Sequence, residues 1–121
     1  MSSSPASLAG RSVLLVEDDY FIVKDLRRQF QREGATVIGP ASNVPDALEL
    51  VRSSPQIDAA VLDVNLQGEM VFPVADALAR RGVPFVFATG YDPVVIPPEH
   101  GKVRHCSKPV DPMRLAEALF G

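Results

Sequence analysis

Short apolar runs of strand-like composition alternate along this chain with segments whose apolar residues recur every three or four positions. The strand candidates are Val13–Val16, Thr36–Ile38, Ala59–Val64, Phe85–Ala88 and Val103–Cys106. After the first, Ile22, Val23, Leu26 and Phe30 share one helical face; charged Lys24, Asp25, Arg27 and Arg28 lie elsewhere, and Gly34 is the stop. A second helix is predicted from a cap at Ser42 or Asn43, with Pro45 in its first turn and Val44, Ala47, Leu48 and Val51 as its buried stripe. A third, over 71–81, places Val71, Val74, Ala75 and Leu78 on one face and stops at Gly82. The last opens at Asp111-Pro112, a cap followed by proline at the first helical position, and buries Leu115, Ala116 and Leu119.

The alternation breaks once. GYDPVVIPPEHGK (90–102) stands where a helix should join the fourth and fifth strands, and it carries Pro93, Pro97 and Pro98. Each proline removes a donor and clashes with the preceding turn, at ~3 kcal/mol in a helix interior. At most one helical turn is expected there. The remaining pattern predicts an α/β fold, a doubly wound five-stranded parallel sheet with helices on both faces. Right-handed crossovers favour the strand order 2-1-3-4-5. In such a sheet ligands bind beyond the carboxyl ends of the strands, where the order reverses, here between strands one and three.

Composition narrows the class. A chain of 121 residues, 46% hydrophobic and 22% charged, suits one globular domain with a real core. A net charge of −3 argues against a nucleic-acid surface, and no apolar run approaches the ~18 residues of a membrane span. Residues 1–10 read as a disordered lead-in and 11–121 as the domain, expected to be monomeric and cytoplasmic. The single cysteine, Cys106, fits a reducing compartment and reads as a buried structural thiol.

The strand ends carry the chemistry. Glu17-Asp18-Asp19 follows the first strand, Asp63 ends the third, Thr89 the fourth, and Lys108 follows the fifth. Carboxylates meeting at one sheet edge repel one another and call for a cation; an all-oxygen donor set selects a hard ion such as Mg2+. Glu17, Asp18 and Asp63 bring about −3, and Mg2+ with Lys108 brings +3, so the site balances. Asp63, emerging from an apolar strand with no helix to cap, is the candidate nucleophile for a phosphoryl group. Thr89 can donate to a phosphoryl oxygen, Lys108 can pair with it, and the Asn65 backbone carbonyl can serve the metal. Asp19 reads as a helix cap, and the Lys108-Pro109 bond as a candidate cis peptide.

These residues resemble the receiver domain of two-component response regulators, from about Arg11 to Phe120. VLLVEDD carries the acidic pair, LDVN the phosphoacceptor, FATG the switch threonine and SKP the lysine. The resemblance implies a flavodoxin-like receiver fold with its fourth helix degraded or absent. It also implies Mg2+ at Glu17, Asp18, Asp63 and the Asn65 carbonyl, and phosphorylation of Asp63 by a histidine kinase, with Thr89 and Lys108 contacting the phosphoryl group. PFVFATGYD (84–92) is similar to the PFxFATGY signature of the "FAT GUY" subgroup of alphaproteobacterial single-domain regulators. That implies kinases of the HWE or HisKA2 type and a role in stress signalling. The phospho-form is expected to bind a downstream protein, or to pass phosphate to a phosphotransferase or sink.

Two departures concern output. His105 occupies the position of the family's aromatic switch, and Tyr91 is a candidate substitute. Phosphorylation is accordingly expected to order residues 90–102 around Thr89 and Tyr91. Neither His100 nor His105 has a partner at metal-ligand spacing. The alternatives are a phosphorylation-independent pseudo-receiver and the receiver end of a hybrid kinase. A haloacid-dehalogenase-like phosphatase is more remote, because its second acid is Asn65 here.

Overall fold

The computed structural model describes residues 7–90 and 96–120, with Thr89 described by its backbone alone. β1 (Ser12–Val16), α1 (Tyr20–Arg32), β2 (Thr36–Ala41), α2 (Val44–Ser53) and β3 (Ala59–Asp63) come first. A small antiparallel hairpin, β4 (Asn65–Leu66) and β5 (Glu69–Met70), leads into α3 (Phe72–Arg80), and β6 (Phe85–Thr89), β7 (His105–Ser107) and α4 (Pro112–Phe120) complete the chain. The main sheet is parallel throughout, in the order β2-β1-β3-β6-β7. This is the doubly wound order expected from the pattern, with four α-helices among the described residues.

Side chains alternate across the sheet, and that alternation builds two cores. Leu14, Val16, Ala60, Leu62 and Phe87 pack with the α2 and α3 residues Ala47, Val51, Val74 and Leu78. Val13, Leu15, Val61, Val86 and Ala88 pack on the other face with Val23, Leu26, Phe30 and Leu115 of α1 and α4. Covered on both sides, β1 and β3 have almost no exposed residue, which is why they read as unbroken apolar runs. The caps also match the pattern. Asp19 Oδ1 accepts from the Phe21 and Ile22 N–H groups, Asn43 Oδ1 from Asp46 N–H, and Asp111 Oδ1 from Met113 N–H.

Three departures from the pattern have physical causes. Leu8 is 2% exposed and joins the α1–α4 core, so the folded body includes part of the segment read as lead-in. β2 runs past Ile38 to Ala41 through Gly39 and the cis Gly39–Pro40 bond. Gly39 has φ +98°, and a Cβ there would lie 2.9 Å from Ala41 N and 3.1 Å from Leu15 O. β7 begins at His105 rather than Val103, whose N–H turns back to the His100 carbonyl. Between β6 and β7 the helical content among the described residues is one 3-10 turn, Pro98–His100, as the prolines require. Tyr91 and the rest of 91–95, within the 90–102 segment where a switch was expected, lie outside the described residues.

Candidate functional site

β1 and β3 are neighbours in register, Val16 opposite Leu62, so the residues that follow them emerge side by side. Glu17, Asp18 and Asp63 each place a carboxylate oxygen within 4.8 Å of the others. Glu17 and Asp63 are buried, at 3% and 8% exposure, and Asp18 is half-buried at the rim. Lys108 reaches them from beyond β7, just before the cis Lys108–Pro109 bond. Its Nζ is 3.1 Å from Glu17 Oε2, 3.2 Å from Glu17 Oε1 and 3.1 Å from Asp63 Oδ2.

The loop after β3 holds the other side of Asp63. Asn65 N–H donates to Asp63 Oδ1 at 3.2 Å, and Asn65 Oδ1 accepts from Gly68 N–H at 2.6 Å. The hairpin turn is made by Gln67 and Gly68, both at positive φ. Val71 N–H donates to the Val64 carbonyl, so by the alternation of an antiparallel ladder the Asn65–Met70 pair is a non-bonded one. The Asn65 carbonyl is therefore directed away from its partner strand. Glu69 Oε1 accepts the Val44 N–H at 3.2 Å and ties the hairpin to the start of α2. The sequence reading missed this hairpin, which is too short to show a period; the Asn65 and Gly68 turn residues were its one signal.

Electrostatics favour an added cation. Burial, reinforced by the Asp63 charge, pushes the Glu17 carboxyl up to about 7, even though Lys108 works in the opposite direction. Desolvation, with Asp63 adding to it, also raises Asp18. Desolvation disfavours the Lys108 ammonium, but its bonds and charge interactions with Glu17 and Asp63 more than offset this, and its pKa lies above the usual lysine value. One ammonium faces three carboxylates that are costly to ionise together. Oxygen donors at this spacing, with that excess negative charge, fit a hard divalent cation.

The structure thus brings together Glu17, Asp18, Asp63, Asn65 and Lys108. Thr89 ends β6 one strand away, its backbone paired with Ser107, and β6 sets Ala88 opposite Asp63. His105 is exposed on β7 with its ring edge-on to Phe87 at 5.7 Å, apart from the carboxylates. Cys106 is partly buried, and burial raises its pKa, as suits an unreactive thiol.

Comparisons with known proteins place the fold among its relatives. Curated proteins yield no match. Among solved structures, SdrG from Sphingomonas melonis Fr1 is 38% identical with a TM-score of 0.78, covering 89% of this chain and 92% of its own. The BeF3-activated conformation of SdrG from Pseudomonas melonis Fr1 is 37% identical with a TM-score of 0.72, covering 91% and 93%. A response regulator receiver protein from Sinorhizobium medicae WSM419 shares the fold at 21% identity, with a TM-score of 0.73 and coverage of 93% and 94%. A family model, the response regulator receiver domain, matches residues 13–120. The match runs from the second residue of β1 to the last of α4, so nearly the whole folded body is accounted for: this chain belongs to the receiver domain family of two-component signalling.

Proposed function

We propose that Asp63 accepts a phosphoryl group from the phosphohistidine of a histidine kinase. A carboxylate oxygen of Asp63 attacks phosphorus, the P–N bond to the imidazole breaks, and the imidazole nitrogen keeps the electron pair and takes a proton from solvent. The observation that carries this reading is the Asp63 carboxylate, held by the Asn65 N–H on one oxygen and Lys108 on the other, beside two further acids. Mg2+ bound by Glu17, Asp18, Asp63 and the Asn65 carbonyl would neutralise the phosphoryl oxygens during transfer. Lys108 then exchanges its bonds to Glu17 and Asp63 for a phosphoryl oxygen. The Thr89 hydroxyl donates to another and moves to do so, with Tyr91 and His105 as the neighbouring output positions.

Resemblance to SdrG supports a further reading. SdrG has a BeF3-activated conformation, and in the present structure Lys108 is still paired with Glu17 and Asp63 rather than turned to a phosphoryl oxygen. We take the present structure as the resting form. PFVFATGYD (84–92) supports a single-domain regulator served by an HWE or HisKA2 kinase in stress signalling. The phospho-form then acts on a cytoplasmic partner protein or phosphotransferase, as a monomeric domain.

Phosphotransfer from a panel of histidine kinases, with Asp63→Asn as control, tests the reading. Label on the wild type and none on the variant is the expected result. Equal labelling of both, or a wild type that neither accepts phosphate nor responds to beryllofluoride with Mg2+, would point to a phosphorylation-independent binding module.

A further inference from the structure

Besides Glu17 and Asp63, His100 is the buried polar residue among those described, and the phosphoryl chemistry makes no use of it. It lies in the 3-10 turn near the end of the crossover and is 4% exposed. His100 Nε2–H donates to Asp76 Oδ1 of α3 at 2.8 Å. The ring stacks on Phe72 of α3, with centroids 6.0 Å apart and planes 16° apart. It also meets Phe87 of β6 edge-on at 6.0 Å and Phe85 at 6.2 Å. One imidazole therefore joins the crossover to both α3 and β6.

Three features make this contact relevant to signalling. β6 carries Phe87 and, two residues on, ends in Thr89. β6 also sets Ala88 opposite Asp63, so its end adjoins the phosphoacceptor. The edge-on contact with Phe87, at 6.0 Å, ties the imidazole to that same strand. A shift of the β6 end toward a phosphoryl group displaces Phe87 against an imidazole held by one hydrogen bond and one stacked ring.

We propose that the His100–Asp76–Phe72 contact is a latch that holds the crossover in the resting form and opposes phosphorylation of Asp63. This rests on the phosphoacceptor and resting-state readings above. A state with the latch released is penalised by the bond lost, so removing that bond beforehand removes the penalty and favours the activated form. Asp76 is suited to test this because its side chain is 47% exposed and its loss leaves no cavity in the core.

The test is titration of the 121-residue chain with beryllofluoride in the presence of Mg2+. Asp76→Ala and His100→Ala should bind it about 3- to 10-fold more tightly than the wild type, the range set by one net hydrogen bond. Asp76→Asn keeps an oxygen acceptor and should stay near the wild type. Amide exchange at Gly101 and Val103, whose N–H groups bond within this turn, should quicken in Asp76→Ala and, on beryllofluoride binding, in the wild type. A wild-type response with unchanged or weaker affinity in Asp76→Ala overturns the latch but not the phosphoacceptor. No response in the wild type overturns the phosphoacceptor reading and the latch with it.

Discussion

At the carboxyl ends of β1 and β3, two buried carboxylates share one lysine that touches both. Beside β6, one buried histidine sits among three phenylalanines with one carboxylate partner. The first cluster has several bonds and still carries uncompensated charge, because Asp18 adds a third acid to a single ammonium. The second is satisfied by one hydrogen bond and ring contacts. Uncompensated charge at a rigid strand end makes a cation and a phosphoryl group favourable ligands. A contact that rests on one bond makes a part that a few-kcal/mol signal can move. On the proposed reading the first region carries the chemistry and the second the response.

The largest expected effect breaks the first region. Asp63→Asn keeps the side-chain volume and an acceptor for the Asn65 N–H but removes the nucleophile, and phosphotransfer should fall to background in an autoradiographic assay. Next, Lys108→Ala strands Glu17 and Asp63 without their cation. Without divalent ions at pH 8, urea denaturation should show a loss of about 3–5 kcal/mol, as for other broken buried pairs.

Glu17 supplies a pH test of the same excess charge. Its folded pKa, about 7, is above its ordinary value of 4.5, so between those values the folded state binds more protons than the unfolded. Its contribution to stability is present in full below pH 4.5 and is lost as pH rises through about 7, on the order of 3 kcal/mol in all. Denaturation of the metal-free protein at pH 5 and pH 8 measures this; Mg2+ should restore more stability at pH 8 than at pH 5. Stability independent of pH across that window would show that Glu17 carries no such burden. The smallest effect belongs to the second region. Asp76→Ala should leave Mg2+ affinity unchanged while tightening beryllofluoride binding several-fold, so one measurement separates the two clusters.

Much of this was legible before any coordinates. The periods of Ile22, Val23, Leu26 and Phe30, and of Val74, Ala75 and Leu78, place those residues toward the sheet because a helix face must be covered. Apolar runs ending in acids gave away Glu17 and Asp63, since a strand buried on both faces has few other uses for a carboxylate at its end. What was illegible is of a different kind. The β4–β5 hairpin has two residues per strand, and Leu8 is one apolar residue in a polar segment; neither makes a period. His100, read only as a failed metal ligand, gave no hint of burial because its hydrogen-bond partner lies 24 residues away on α3 and its ring partners on α3 and β6.

Strand order, helix caps, the broken fourth crossover and the acid, threonine and lysine positions at the strand ends are all written along the chain. Each follows from local rules: side-chain period, proline's missing donor, and right-handed crossover. How those parts meet emerges only in the folded packing: Lys108 bridging Glu17 and Asp63, the Asn65 N–H on Asp63, and His100 pinned to Asp76. Those contacts join residues distant in the chain or set by backbone dihedrals, and their strength comes from shared burial, which no local pattern encodes.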